Sequence, residues 1–168
     1  MSEKVLAVLG LGSNRGDSRA LLGMAVRDLS EILEDLRLSS MYRTAPQDYA
    51  DQDDFLNLAC SGLYGGSARE LLDAIHGIED RHGRDRESEI SKGPRTLDID
   101  ILLFGDAVMR EPDLVIPHER MRQRQFALVP MLELLPDSAD PETGESYGLI
   151  NRSLGDQGVK KAGTIHGN

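Results

Sequence analysis

Asp98 and Asp100 stand two residues apart in the run TLDIDILLF at residues 96–104. On a β-strand, side chains two apart leave the same face roughly 6.6–6.8 Å apart at the backbone, while Leu97, Ile99 and Ile101 turn to the core. Two carboxylates on one surface repel unless a cation lies between them, and carboxylate oxygens are the ligands that hard Mg2+ prefers. A solvated strand face would carry the same pair, so the surroundings matter. Lys92-Gly93-Pro94-Arg95 feeds directly into this strand, with Arg84 and Arg86 upstream. A guanidinium matches a phosphate oxygen pair bidentately, and an ammonium is a compact charge on a flexible stem. Metal and cations together suit a nucleoside triphosphate. Simple neutralisation of Asp98 or Asp100 accounts for Arg95 alone, but poorly for the crowding of Arg84, Arg86 and Lys92.

A second basic group is Pro117-His118 followed by Arg120, Arg122 and Arg124. An imidazole with an ordinary pKa near ~6.5 can donate to phosphate whether neutral or charged. Taken alone, His118 reads first as a structural hydrogen-bonder, the reading given to His76, His82 and His166. Phe55 and Phe126 are two of seven aromatic residues, and Phe55 shares a strand face with Asn57. Two rings around a flat heterocycle, with an amide reading its edge, form a recognition device worth about 0.5–1.5 kcal/mol per stacked pair beyond burial. Core packing is the competing use of Phe55. Gly10-Leu11-Gly12-Ser13-Asn14-Arg15 is not a dinucleotide fingerprint, because Arg15 occupies the third glycine position, and no P-loop Gly-Lys-Ser/Thr follows.

These residues need a scaffold, and the patterning supplies one. Val5 to Leu11 reads as a strand, and Leu22, Val26, Leu29 and Leu33 after Asp17 have helical spacing. Leu36 to Thr44 reads as a second strand, and the acidic 45–54 as a loop. Phe55 to Tyr64 alternates as a third strand, with Phe55, Asn57, Ala59, Ser61 and Leu63 on one face. Ser67 and Glu70 form a capping box ahead of a helix carrying Leu71, Leu72, Ile75 and Ile78, with Gly83 placed to stop it. TLDIDILLF closes the set, ending at the turn Gly105-Asp106. The order β-α-β-β-α-β predicts an α+β, ferredoxin-like sandwich of antiparallel sheet and two helices. A Pro117 turn, a short helix around Pro130 to Leu135 and a polar C-terminal extension follow. The chain is expected to be one domain over 1–168, with core 4–136 and extension 137–168.

Composition narrows the classes. The chain has 168 residues, one cysteine and a formal charge of −10, with pI near 4.8. Polyanions would be repelled by such a surface, which disfavours nonspecific nucleic-acid or anionic-membrane binding. Nine of the 19 basic residues nonetheless lie between residues 81 and 124, where a small polyanion could be held. One cysteine cannot form an internal disulfide, so a reducing compartment, the cytoplasm, is expected. The apolar run after the start is too short to span a bilayer.

Taken together the segments resemble the 6-hydroxymethyl-7,8-dihydropterin pyrophosphokinase family of folate biosynthesis, over Gly12 to about Leu134. The most specific element is Lys92-Gly93-Pro94-Arg95-Thr96-Leu97-Asp98-Ile99-Asp100-Ile101-Leu102. Gly12-Ser13-Asn14, Tyr42-Arg43-Thr44, Phe55-Leu56-Asn57, Ile78-Glu79, Gly83-Arg84, Pro117-His118 and Arg124-Gln125-Phe126 support it. The resemblance implies transfer of pyrophosphate from ATP, the co-substrate, to the pterin hydroxymethyl group, releasing AMP. It implies that Asp98 and Asp100 hold two Mg2+ ions and that Arg84, Lys92, Arg95, His118 and Arg124 contact phosphates, Arg84 and Arg95 acting in catalysis. Phe55 and Phe126 would sandwich the pterin, Asn57 would bond its edge, backbone from Thr44 and Ala45 onward would complete that pocket, and Glu79 would join the nucleotide pocket. Glu119 stands where a tyrosine can occur in the family, and Lys92 where a tryptophan can. The implied partners are the two small-molecule substrates, with no nucleic acid and no membrane; the implied state is a monomer or weak dimer, with room for association with other folate enzymes. A ferredoxin-like binding module without turnover, an RNA-binding α/β sandwich and a different D-x-D transferase are the competing classes.

Overall fold

The computed structural model describes residues 3–14, 17–45, 54–82 and 97–165. Strand β1 (Val5–Ser13) is followed by helix α1 (Ser18–Ser30), strands β2 (Glu34–Leu38), β3 (Tyr42–Thr44) and β4 (Phe55–Tyr64), helix α2 (Ala68–Arg81) and strand β5 (Asp98–Phe104). β1 lies between β4 and β5, antiparallel to both, and β2 and β3 pair with β4 from its other side, also antiparallel. This is the expected split βαβ sheet. The 45–54 loop falls, at 46–53, outside the described residues, as does Gly83.

The strand predicted from Leu36 to Thr44 is in fact two strands. Ser39 keeps a backbone bond to β4, its N–H donating to the Ala59 carbonyl at 2.9 Å, and side chains take over from the ladder at Ser40. The Ser39 hydroxyl accepts from the Ala59 N–H at 2.8 Å and donates to the Ser40 carbonyl at 2.7 Å, and the Ser40 N–H donates to Glu133 at 2.9 Å.

Leu9 and Leu11 of β1, Leu58 and Cys60 of β4 and Ile99 and Ile101 of β5 pack against Leu22, Val26 and Leu29 of α1 and Leu71, Ile75 and Ile78 of α2. The opposite face of the sheet is covered as well, a third layer that the two-helix expectation lacked. After the hairpin β6 (Met109–Glu111) and β7 (Leu114–Ile116) and a 3-10 turn at Met121–Gln123 come α3 (Gln125–Leu134) and α4 (Tyr147–Ser153). Leu128 and Met131 of α3 and Tyr147 of α4 pack on Val8, Ala59 and Leu102. The helix expected around Pro130 begins five residues earlier, at Gln125, with Pro130 in its interior. A proline there removes one backbone bond without ending the helix, since apolar contacts on both sides of it hold the turn.

The C-terminal extension does more than cover the core. Strand β8 (Lys160–Lys161) pairs antiparallel with β3 and forms the sheet's outer edge, where its two lysines discourage further pairing. Among the described residues no helix is long and apolar enough to cross a membrane.

The capping box at the start of α2 is complete: the Ser67 hydroxyl accepts from the Glu70 N–H at 3.1 Å, and the Glu70 carboxylate accepts from the Ser67 N–H at 2.9 Å. Replacing Ser67 by alanine is expected to lower stability by about 1 kcal/mol, read as a reduced urea midpoint at unchanged slope. An unchanged midpoint would count against the cap.

Candidate functional site

Strand alternation and register decide where the polar residues meet. In β5, Ile99 and Ile101 are buried against the helices, so Asp98 and Asp100 emerge on the other face, half-buried. Asp98 pairs with Gly12 of β1, Gly12 pairs with Asn57 of β4, and Asn57 pairs with Tyr42 of β3, making one row across the sheet. Two strand spacings put the Asp98 and Asn57 backbones roughly 9–10 Å apart. Gly12 between them is needed for space: a Cβ there would lie 2.8 Å from Asn57 Oδ1. The Asn57 amide is buried and oriented by donating Nδ2–H to Thr44 Oγ at 3.0 Å. Phe55, two residues away, shares that sheet face and is half-buried. Ala45, exposed, is the last described residue before 46–53.

β5 is the edge strand on its side of the sheet, and a cleft of about 430 Å3 opens along it. Asp98 and Asp100 lie on its floor, Glu79 on its α2 wall, and His118 and Arg124 on the opposite side. Glu79 is only 2% exposed and accepts the Ile99 N–H at 2.9 Å, so its carboxylate takes the place of a strand neighbour and fixes β5 between the two aspartates.

His118 is seated by its own N–H, which donates to the Leu102 carbonyl at 3.0 Å. Its Nδ1 accepts from the Arg120 N–H at 3.2 Å, which in the neutral ring assigns the proton to Nε2. Nε2 lies 3.8 Å from an Asp100 oxygen. Burial, and then the charge of Arg124, lowers the His118 pKa, against the opposing pull of Asp98 and Glu119. Arg124 stands at the entrance to α3 with its guanidinium carbon 5.3 Å from the centre of the Phe126 ring, a cation–π contact.

Five residues singled out in the sequence, Glu79, Asp98, Asp100, His118 and Arg124, therefore surround one cleft. Thr44, Asn57 and Phe55 form a neighbouring patch on the sheet. Arg84, Lys92 and Arg95, with Arg86, lie outside the described residues. Arg122 leaves the basic cluster, because Asp140 and Glu145 engage its guanidinium at 2.8 and 2.6 Å. His82 behaves as the structural bonder expected of it, with Nε2 2.9 Å from Asp28. His76 in addition lines the cleft, beside Leu72 and Glu79. The signal was present, since 72, 76 and 79 are spaced to share one helix face.

Asp98 and Asp100 suit a hard cation by donor type and shared orientation. Among the described residues no group of three or more His, Cys, Asp or Glu gathers as a full ligand set. Two carboxylates with substrate phosphates and water completing the shell is the usual way Mg2+ is bound.

The model of the 7,8-dihydro-6-hydroxymethylpterin-pyrophosphokinase (HPPK) family matches residues 8–136. The chain is 40% identical over 131 residues to the Bacillus subtilis 2-amino-4-hydroxy-6-hydroxymethyldihydropteridine pyrophosphokinase, covering 77% of each protein. It is 37% identical over 157 residues to the folic acid synthesis protein fol1 of Schizosaccharomyces pombe, with 92% of this chain but only 21% of that protein covered. The crystal structure of wild-type Plasmodium falciparum HPPK-DHPS superposes with a TM-score of 0.68 at 15% identity, over 91% of this chain and 45% of that one. At that identity the likeness bears on the fold alone.

The lowered His118 pKa has a stability consequence. The unfolded ring, at its ordinary 6.5, takes a proton at a higher pH than the folded ring does. The stabilisation from neutral His118 is thus fully present above 6.5 and is lost as pH falls through the folded value. In metal-free protein the urea midpoint is expected to drop over that window, and His118→Asn to flatten the drop; an unaltered profile in the variant would contradict the assignment.

Proposed function

The chain belongs to the 7,8-dihydro-6-hydroxymethylpterin-pyrophosphokinase family and is a pyrophosphokinase of folate synthesis acting on 6-hydroxymethyl-7,8-dihydropterin; we propose that ATP supplies the pyrophosphoryl group and that the cleft along β5 receives the triphosphate. The observation that carries this reading is the meeting of Asp98, Asp100, Glu79, His118 and Arg124 around one cleft. In it the pterin hydroxymethyl oxygen attacks the β-phosphorus and AMP departs. Asp98 and Asp100 would hold two Mg2+ ions, and the chemistry these would supply is acidification of the hydroxyl and neutralisation of charge on the phosphate oxygens. Neutral His118 donates Nε2–H to a phosphate oxygen, and Arg124 balances the negative charge that spreads over the nonbridging oxygens. The α2 wall, with Leu72, His76 and Glu79, holds the nucleoside.

Asn57 and Thr44 read the pterin edge, Phe55 and Phe126 cover its faces, and the backbone at Ala45 completes the pocket. The 9–10 Å between the Asn57 and Asp98 positions suits a bicyclic ring lying across Gly12 with its hydroxymethyl group toward the aspartates. Arg84, Lys92 and Arg95 are assigned to phosphate contact on their motif alone, Arg84 and Arg95 in catalytic roles. Cys60 is free and buried, with its thiol pKa pushed up to about 12 by burial, which suits a reducing cytoplasm. The folic acid synthesis protein fol1, 37% identical and spanned by this chain over only 21% of its length, supports association of this chain with another folate enzyme.

Incubation with ATP, Mg2+ and the pterin alcohol is expected to yield AMP; ADP as the nucleotide product, or no product, would overturn the reading. Asp98→Ala and Asp100→Ala are each expected to lower kcat on the order of 1,000-fold with the circular dichroism spectrum preserved. Wild-type turnover in either variant would remove the metal role.

A further inference from the structure

The segment that carries His118, Arg124 and Phe126 is held by residues beyond the span matched by the family model, which ends at 136. Gln125 and Gln157 exchange two hydrogen bonds: the Gln125 N–H donates to Gln157 Oε1 and the Gln157 N–H to Gln125 Oε1, both at 2.9 Å. The Gln157 side chain also donates Nε2–H to the Gln123 carbonyl at 3.1 Å. Gln123 and Gln125 are the two neighbours of Arg124, so a single amide grips the backbone on both sides of it. From the far side Gln125 Nε2 donates to the Asn151 carbonyl at 3.1 Å. One turn earlier, Asp140 and Glu145 hold Arg122, and Asp140, 5% exposed, is itself fixed by the N–H groups of Glu142 and Thr143 at 2.8 and 3.3 Å.

Arg124 needs such support. It sits at the junction of the 3-10 turn and α3 in extended conformation, φ −125° and ψ 101°, and its own side chain does not cap the helix. Its charge is useful only where the backbone aims it, because misplacement of a charged group by about 1 Å can cost on the order of 100-fold in rate.

We infer that Gln157 is a positioning residue for Arg124, so that the C-terminal segment is a working part of the nucleotide site. This rests on the reading that Arg124 meets the ATP phosphates. Gln157 acts through backbone on either side of Arg124, and its own side chain does not line the cleft.

The test is steady-state kinetics with MgATP as the varied substrate. Gln157 is half-exposed, so Gln157→Ala is expected to fold, with KM for MgATP raised roughly 10-fold and only a small change in melting temperature. Gln157→Glu keeps the oxygen facing the Gln125 N–H but sets a second carboxylate oxygen against the Gln123 carbonyl, and a rise at least as large is expected. In an Arg124→Ala background, Gln157→Ala is expected to add nothing to KM, an outcome that general loosening of the fold would not give. Wild-type KM in Gln157→Ala, or an equal further rise in the Arg124→Ala background, would overturn the positioning role while leaving the proposed function in place. If Arg124→Ala itself leaves KM for MgATP unchanged, the phosphate role of Arg124 and the positioning role of Gln157 fall together.

Discussion

Everything in the site depends on keeping two like charges side by side on one edge strand. Asp98 and Asp100 repel each other, and a slip of one residue in β5 would carry both into the apolar layer beneath α1 and α2. The register resists this because Ile99 and Ile101 are buried in that layer together with Leu97. Moving them outward would expose three large side chains at about 1.5–3 kcal/mol each. Glu79 adds a directional restraint, accepting the Ile99 N–H that an edge strand would otherwise offer to solvent. Apolar packing thus sets which face the carboxylates occupy, and a buried carboxylate on the neighbouring helix sets where along the edge they stand.

The second face of the sheet shows the same division of labour. Its third layer, α3 and α4, covers Val8, Ala59 and Leu102, and the row Asp98–Gly12–Asn57 lies farther along the same face. Glycine in the middle of that row keeps the space between Asp98 and Asn57 free of a side chain, with Gly12 and Asn57 themselves buried. Glu133 of α3 ties this layer to β3, accepting from the Tyr42 hydroxyl at 2.6 Å and the Ser40 N–H at 2.9 Å. β3 in turn carries Thr44, which orients Asn57. The Asn57 amide is therefore held by a chain of hydrogen bonds leading back to a helix on the sheet's outer layer.

The sheet and its first two helices were legible because they obey local rules: alternation in Phe55–Tyr64, helical spacing after Asp17, a capping box at Ser67. Asp98, Asp100, Asn57 and His118 were legible because their chemistry is rare in such company. What escaped has long-range causes. The break at Ser39–Ser40 depends on Glu133, some ninety residues away, and no window of sequence contains both. The removal of Arg122 from the basic cluster depends on Asp140 and Glu145, in a stretch that reads as a polar tail. Pro130 invites a helix boundary, and only the apolar contacts of α3 override it. That His76 shares a cleft with β5 and the hairpin β6–β7 is likewise beyond any local window.

Net charge poses a problem that the architecture has to solve locally. A chain with a formal charge of −10 repels a triphosphate at long range, but at physiological salt that field fades within about 8 Å. Inside that radius the local arrangement of charges prevails. Arg120 and Arg124 line the cleft, whereas Arg122, Arg69 and Arg110 are committed to acidic partners. Five carboxylates share that lining, and of these Asp98 and Asp100 on the cleft floor by themselves worsen the balance for an anionic ligand. They improve it if a divalent cation accompanies the nucleotide, because each then exchanges a repulsion for a shared attraction, and discrimination against metal-free nucleotide comes at no extra structural cost. The excess of negative charge elsewhere on the surface acts in the same direction, since it disfavours larger polyanions that lack such a counter-ion and cannot enter a cleft of about 430 Å3.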